Sequence, residues 1–197
     1  RVLDRSAKRD ELRKLWQAYR PALSGKTARG KGVAAPAFDK NDPANRIKLV
    51  VAQARLLLEA DPLAWLCQSD PAFTHVVHDF RLPEKSALHG NAGMDMVISL
   101  KRSDSAPLEL HGVEIRVNLP ARAIPVLVDL AAWVDFLWVA FTKSPASSTL
   151  ATIPAHIGVL SIQDGVISVV RVAESTKPRP ETILATTQHF LQKALAR

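Results

Sequence analysis

The apolar residues of this 197-residue chain change their spacing near its centre, and that change restricts which folds it can adopt. Upstream, apolar side chains recur every three to four residues, which predicts a helix from Pro43 to about Ala60 and a further turn over Leu63 to Cys67. Asp42 can cap the free N–H groups at the start of this helix. From Phe73 onward the spacing falls to two, the period of a β-strand. The chain therefore combines helices with a sheet.

The second half of the chain predicts a definite order of elements. Strands are expected over Phe73–Leu82, Met94–Leu100 and Leu108–Leu119, a short helix over Pro125–Trp133, a buried strand over Asp135–Thr142, a hairpin of Ile157–Ile162 and Val166–Val172, and a closing helix over Pro180–Arg197. The hairpin turn is Gln163-Asp164-Gly165, and an irregularity is expected at His111-Gly112. This order predicts an α/β fold with a mixed central sheet sandwiched by helices, occupying residues 43–197.

Residues 1–42 are predicted to form a separate basic extension, with a helix from about Asp4 to Tyr19 and a linker over Ser24–Asp42. Residues 1–48 hold 13 Lys and Arg against 5 Asp and Glu, a net charge of +8, whereas the remainder holds 13 basic and 14 acidic residues. A local basic surface of this size suits nucleic acid, and Lys26, Arg29 and Lys31 are the candidate phosphate contacts. A solvated helix followed by a flexible basic linker explains the same charges equally well.

Composition excludes several classes of protein. The single cysteine, Cys67, rules out an intrachain disulfide framework and a cysteine-based zinc site, and it is expected to be a small buried hydrophobe. The most apolar stretch, Val126–Phe141, is 16 residues long and contains two aspartates, so no membrane span is expected. The chain starts at Arg1 without methionine or an apolar leader, which suggests an excised fragment of an intracellular, cytoplasmic protein.

The third predicted strand carries the residues that suggest chemistry. Glu114, Arg116 and Asn118 alternate with apolar residues and therefore share one face, while Asp95 lies on the preceding strand. If the two strands pair antiparallel, Asp95 and Glu114 converge at one end of the sheet. Two carboxylates and a backbone carbonyl, here that of Ile115, are ligands that Mg²⁺ or Mn²⁺ prefers. A bound metal of this kind activates water and neutralises charge on a phosphodiester, with Arg116 beside the phosphate.

Simpler interpretations stay open for each of these residues. Asp95 and Glu114 also suit the solvent-facing side of a sheet, where alternate charged residues are common. Asn118 and Arg122 are candidates for contacts to phosphate or base, and equally for capping the helix that follows. Further polar candidates are Glu59 or Asp79 as a third acid, His89 near the site, and the pair His75 and His78, which lie on opposite faces of a strand and suit a metal poorly.

The pattern resembles the core of the PD-(D/E)XK nuclease superfamily, which has the restriction-endonuclease-like fold. The matching residues are Met94-Asp95, then after 19 positions Glu114-Ile115-Arg116, followed by Leu130–Phe141 and Ile153–Gly165. The likeness covers about residues 43–173 and is strongest to a small bacterial branch linked to DNA repair. The resemblance implies a Mg²⁺- or Mn²⁺-dependent deoxyribonuclease with Asp95, Glu114 and Arg116 as catalytic residues, and Asp95, Glu114 and the Ile115 carbonyl as metal ligands.

One departure from the family pattern bears on activity. Arg116 stands where the family usually has lysine, and Met94 where a proline often precedes the aspartate. Because arginine stays protonated at any relevant pH, it can stabilise phosphate charge but is unsuited to exchanging a proton with water. Three hypotheses follow: an active DNA endonuclease; a catalytically degenerate module of the same fold that binds nucleic acid or a protein partner, or forms a homodimer; and a structural domain whose basic arm docks onto an acidic protein.

Overall fold

The structure is a computed structural model that describes residues 42–60, 62–66, 73–82, 93–103 and 105–195. The chain divides into two units, residues 1–47 and 48–197, and the description below concerns the second unit apart from the start of the first helix. The predicted helix at 4–19, the linker at 24–42 with Lys26, Arg29 and Lys31, and the residues Cys67 and His89 lie outside the described residues.

Helix α1 spans Pro43–Ala60, as the apolar spacing predicts, and the short helix α2 follows over Pro62–Leu66. The Asp42 carboxylate accepts a hydrogen bond from the Ala44 backbone N–H at 2.9 Å, which satisfies one of the free donors at the start of α1. The predicted apolar stripe of α1 is only partly buried. Ala54 and Leu58 are buried in the core, whereas Val50 is exposed.

Six strands form one mixed sheet in sequential order. They are β1 (Phe73–Arg81), β2 (Gly93–Lys101), β3 (Leu108–Arg116), β4 (Phe136–Phe141), β5 (Gly158–Gln163) and β6 (Val166–Arg171). The first three pair antiparallel, β3–β4 and β4–β5 pair parallel, and β6 returns antiparallel to β5. The parallel connections carry α3 (Ile124–Ala131), which follows a 3₁₀ turn, and α4 (Ser147–Thr152); α5 (Pro180–Leu195) closes the chain. The α/β fold with a mixed, helix-covered sheet is therefore confirmed.

Each face of the sheet has its own core. On one face, α1 and α2 contribute Leu58 and Trp65, which pack with sheet residues such as Met96 and Trp138. On the other face, α3 and α5 contribute Leu130 and Phe190 to a cluster built on alternate strand positions such as Val97, Leu110 and Leu137. Both faces of the central strands are buried, which explains their nearly continuous apolar runs.

The sheet is irregular at Asp79 and Asp95, and its β5–β6 register shifts between Val159 and Leu160, whereas the irregularity that the sequence predicts at His111-Gly112 is absent. The β2–β3 register runs without a break through His111 and Gly112. Gly112 serves close packing instead, because a Cβ there would lie 2.3 Å from the Met94 sulfur. On β1, Asp79 has φ +49° and is missing from the pairing with β2, although its neighbours on both sides are paired. The backbone at Asp79 therefore interrupts the alternation of the strand.

Most element boundaries agree with the sequence prediction within two residues, with two differences. Strand β3 ends at Arg116 rather than Leu119, so Asn118 lies beyond the strand and is exposed. Helix α4 is absent from the prediction because its six residues are too few to show a helical repeat. The predicted hairpin is confirmed: Asp164 and Gly165 both have positive φ, the combination that a type I′ turn requires.

Candidate functional site

The predicted site lies where β2 begins and β3 ends. Pairing between these strands stops at Met96 and Val113, so the backbones no longer form a ladder beside Asp95. The Asp95 carboxylate replaces part of that ladder, because its Oδ2 accepts the Ile115 backbone N–H at 2.7 Å. Its side chain is 23% exposed, so it borders solvent while tying the two strands together.

Glu114 lies deeper than a solvent-facing strand residue would. Because Val113 and Ile115 belong to the core beneath α1, strand alternation directs Glu114 toward the opposite face. Only 2% of the residue is exposed. Burial raises the pKa of its carboxyl group to about 7, although the nearby Arg116 guanidinium and a hydrogen bond from the Asp95 backbone N–H both act to lower it. Glu114 is therefore a buried group whose charged form is costly.

The Arg116 guanidinium is the point at which the predicted site residues meet. Nη2 donates to the Glu114 carboxylate, and Nη1 donates to the Ile115 carbonyl at 3.3 Å and lies 3.8 Å from Asp95 Oδ2. The structure thus brings Asp95, Glu114, Ile115 and Arg116 together. The side chain of Arg116 is 32% exposed, so the cluster opens to solvent on this side.

Arg55 on α1 is a member of the cluster that sequence reasoning missed. It forms two hydrogen bonds with Asp79, at 3.0 and 3.1 Å, and its Nη2 lies 3.4 Å from Asp95 Oδ1. Asp79 was one of two candidates for a third acid, and the structure brings it to the cluster through Arg55. The available signal in the sequence is that Arg55 is the single charged residue between Lys48 and Glu59.

The other predicted residues lie apart from this cluster. Glu59 pairs with His78 at 3.1 Å on the α1 face of the sheet. His75 packs edge-on against Phe190 of α5, on the opposite face, as the strand period predicts for the pair of histidines. Asn118 and Arg122 are exposed beyond the end of β3.

The donor set has the right chemistry for a magnesium ion but already surrounds a cation. The Asp95 and Glu114 carboxylates and the Ile115 carbonyl are hard oxygen ligands of the type that Mg²⁺ and Mn²⁺ select. All three contact the Arg116 guanidinium, and Asp95 also contacts Arg55. Within the described ranges, no group of three or more His, Cys, Asp or Glu side chains is arranged to hold a metal ion. As placed, these three oxygen donors contact the Arg116 guanidinium.

A second polar cluster lies at the other end of β3. Arg102 binds both oxygens of Glu109, at 2.8 and 3.0 Å, and His111 Nε2 lies 3.4 Å from the same carboxylate. The Trp138 indole N–H donates to His111 Nδ1 at 3.3 Å, which leaves the proton of a neutral His111 on Nε2, facing Glu109. The hydrogen bond with His111 and the Arg102 guanidinium together lower the pKa of the Glu109 carboxyl group to about 2. This cluster holds the side chains at the start of β3, whereas Glu114 lies near the end of the same strand.

Comparison with known proteins gives a distant structural likeness and no family. No protein-family model matches the chain, and no curated protein matches it. Among solved structures, the chain is similar to a protein of unknown function from Silicibacter pomeroyi, with a TM-score of 0.49 and 19% sequence identity over 75% of this chain and 85% of that one.

None of the helices in the described part of the chain combines the length and apolar character needed to cross a bilayer.

Proposed function

We propose that this chain is a nucleic-acid-binding module with a nuclease-like fold, in which an arginine takes the position of the metal ion. The observation that carries the proposal is the convergence of Asp95, Glu114 and the Ile115 carbonyl on the Arg116 guanidinium. A guanidinium neutralises the two carboxylates, yet it can neither bind water as a ligand nor lower its pKa as Mg²⁺ does. The cluster in this form stabilises the fold without hydrolysing phosphodiesters.

Two features support nucleic acid as the ligand. Residues 1–48 carry a net charge of +8 beside a nearly neutral remainder, which favours contacts to a phosphate backbone. The order of helix, three antiparallel strands, helix and parallel strand agrees with the nuclease superfamily that the sequence resembles. Lys26, Arg29 and Lys31, with Asn118 and Arg122, are the residues proposed to contact phosphate.

Binding and cleavage assays on the same DNA test this proposal. We expect duplex DNA to bind in EDTA, because no step of binding requires a divalent ion. We expect no cleavage of duplex, single-stranded or branched DNA in Mg²⁺ or Mn²⁺. Cleavage that depends on a divalent ion and disappears in Glu114→Gln would overturn the proposal.

Arg116→Lys separates a degenerate site from one that lacks only its usual lysine. We expect this variant to remain inactive, because Glu114 is buried and Arg55 still contacts Asp95. The matched control is Arg102→Lys, which changes a similarly paired arginine at the distant Glu109 cluster. Cleavage gained by Arg116→Lys and not by the control would favour an active nuclease framework.

A metal-dependent DNA endonuclease is the second candidate, and one observation favours it. Three hard oxygen donors meet on adjacent strands, and the partly exposed Arg116 side chain has a route to solvent. If Arg116 moved outward, Asp95, Glu114 and the Ile115 carbonyl would hold Mg²⁺ or Mn²⁺, with Arg116 beside the scissile phosphate. Failure to bind any DNA would instead favour a protein partner, a homodimer or a purely structural domain.

A further inference from the structure

Asp79 and Asp95 oppose each other across β1 and β2 at the step where the ladder is interrupted. The flanking pairs His78↔Met96 and Phe80↔Met94 keep their register, so Asp79 and Asp95 occupy the one unpaired step between them. Like charges that oppose each other on neighbouring strands destabilise a sheet. A positive partner at this step would offset the repulsion between the two carboxylates.

Arg55 supplies that compensation from a different element. Its two terminal nitrogens bind both oxygens of Asp79, and one of them also reaches Asp95 Oδ1. The planar guanidinium presents several donors in a fixed arrangement, which suits it to bridging two carboxylates. The side chains of Arg55 and Asp95 are 24% and 23% exposed, so their contact is partly shielded from solvent, whereas the Asp79 side chain is 74% exposed.

Because Arg55 contacts only Oδ1 of Asp95, the second oxygen, Oδ2, is available to Ile115 and Arg116. While Oδ1 contacts Arg55, Oδ2 accepts the Ile115 N–H and faces Arg116. The orientation of one carboxylate thus links α1, the irregular step of β1 and the end of β3. We propose that Arg55 is a positioning residue of the site, which holds Asp95 in the orientation that bonds Ile115 and faces Arg116. This inference deepens the proposed function because it concerns the same cluster.

Amide hydrogen exchange of Ile115 measures this positioning directly, without any nucleic acid. We expect Arg55→Met, which keeps the aliphatic stem, to speed exchange of the Ile115 amide by about tenfold or more, since its acceptor is no longer held in place. Amides in the regular part of β2–β3, such as Val97 and Gly112, should change much less. The matched control, Arg102→Met, removes an equally bidentate pair and should leave Ile115 unaffected.

Arg55→Lys distinguishes the guanidinium geometry from charge alone. We expect it to restore part of the protection of Ile115, because an ammonium supplies the charge without the planar set of donors. Should Arg55→Met fail to fold, the same comparison is made between Arg55→Lys and Arg102→Lys. An Ile115 exchange rate that is unchanged in the Arg55 variants, or raised equally by the Arg102 control, would overturn the inference. DNA binding is measured separately, so a failure there would count against the proposed function alone.

Discussion

At the residue scale, Glu114 is the group whose environment differs most from that of a surface glutamate. Its side chain combines near-complete burial with a contact to a guanidinium and a hydrogen bond from a backbone N–H. Truncating it would therefore leave a cavity as well as unpaired polar groups. A solvent-facing strand position, in contrast, would tolerate alanine at little cost.

We expect Glu114→Ala to lower the free energy of unfolding by about 2 kcal/mol, from the cavity and the lost acceptor together. Glu114→Gln, which keeps the volume and an acceptor oxygen, should cost less than half as much. Urea unfolding at neutral pH measures both. Glu181→Ala on the exposed surface of α5 is the control, with an expected change below about 0.5 kcal/mol. Equal effects of Glu114→Ala and the control would show that Glu114 is not held as described.

Glu109 provides a pH prediction with a defined sign. Its pKa falls from 4.5 to about 2 in the folded protein, first through the hydrogen bond with His111 and also through Arg102. A lowered folded pKa stabilises the protein above the unfolded value, and that contribution is lost as the pH falls from about 4.5 toward 2. We therefore expect the stability difference between wild type and Glu109→Gln to shrink over this range in denaturant titrations. A difference independent of pH would contradict the ion-pair arrangement.

At the element scale, the β5–β6 hairpin shows that local turn chemistry alone can determine a connection. Asp164 and Gly165 have φ values of +50° and +79°, as the Asp-Gly pair favours. A Cβ at Gly165 would meet nothing within 4 Å, so any cost of a side chain there is conformational rather than steric.

We expect Gly165→Ala to destabilise the protein by about 1 kcal/mol because alanine disfavours positive φ. Gly165→Asn should cost less, since asparagine tolerates this region of backbone conformation. Thermal unfolding of the two variants side by side makes the comparison. A smaller loss for alanine than for asparagine would show that backbone strain does not control this turn.

At the scale of the whole molecule, the uneven charge indicates which part of the chain would bind a negatively charged partner. The positive charge lies in the N-terminal quarter of the sequence, whereas the six-stranded sheet belongs to the nearly neutral remainder. Binding that depends on this quarter should therefore be electrostatic and sensitive to salt.

We expect the combined variant Lys26→Gln, Arg29→Gln and Lys31→Gln to weaken duplex DNA binding. The slope of log affinity against log salt should fall by about 0.9 for each phosphate contact removed. The control with the same net charge is Lys101→Gln, Lys177→Gln and Lys193→Gln. Identical salt slopes for the two triple variants would show that the basic quarter makes no specific phosphate contacts.

The sequence by itself determined the types and order of the elements, because hydrophobic period, capping residues and turn residues act over a few positions. It also placed Asp95 and Glu114 on two consecutive strands, because the two-residue period that marks each strand is a local pattern. The predicted helix from Pro43 to Ala60 and the turn at Asp164-Gly165 are confirmed for this reason.

Only the tertiary structure decided the character of the site. Arg55 meets Asp79 across 24 residues of sequence and Asp95 across 40, and no local pattern encodes which helix position packs over which strand step. The burial of Glu114 likewise depends on helices covering both faces of the sheet, whereas its strand pattern alone also suits a solvent-facing surface. The surroundings of the irregular step at Asp79 likewise depend on the fold, because Arg55 of α1 bonds both Asp79 and Asp95 there.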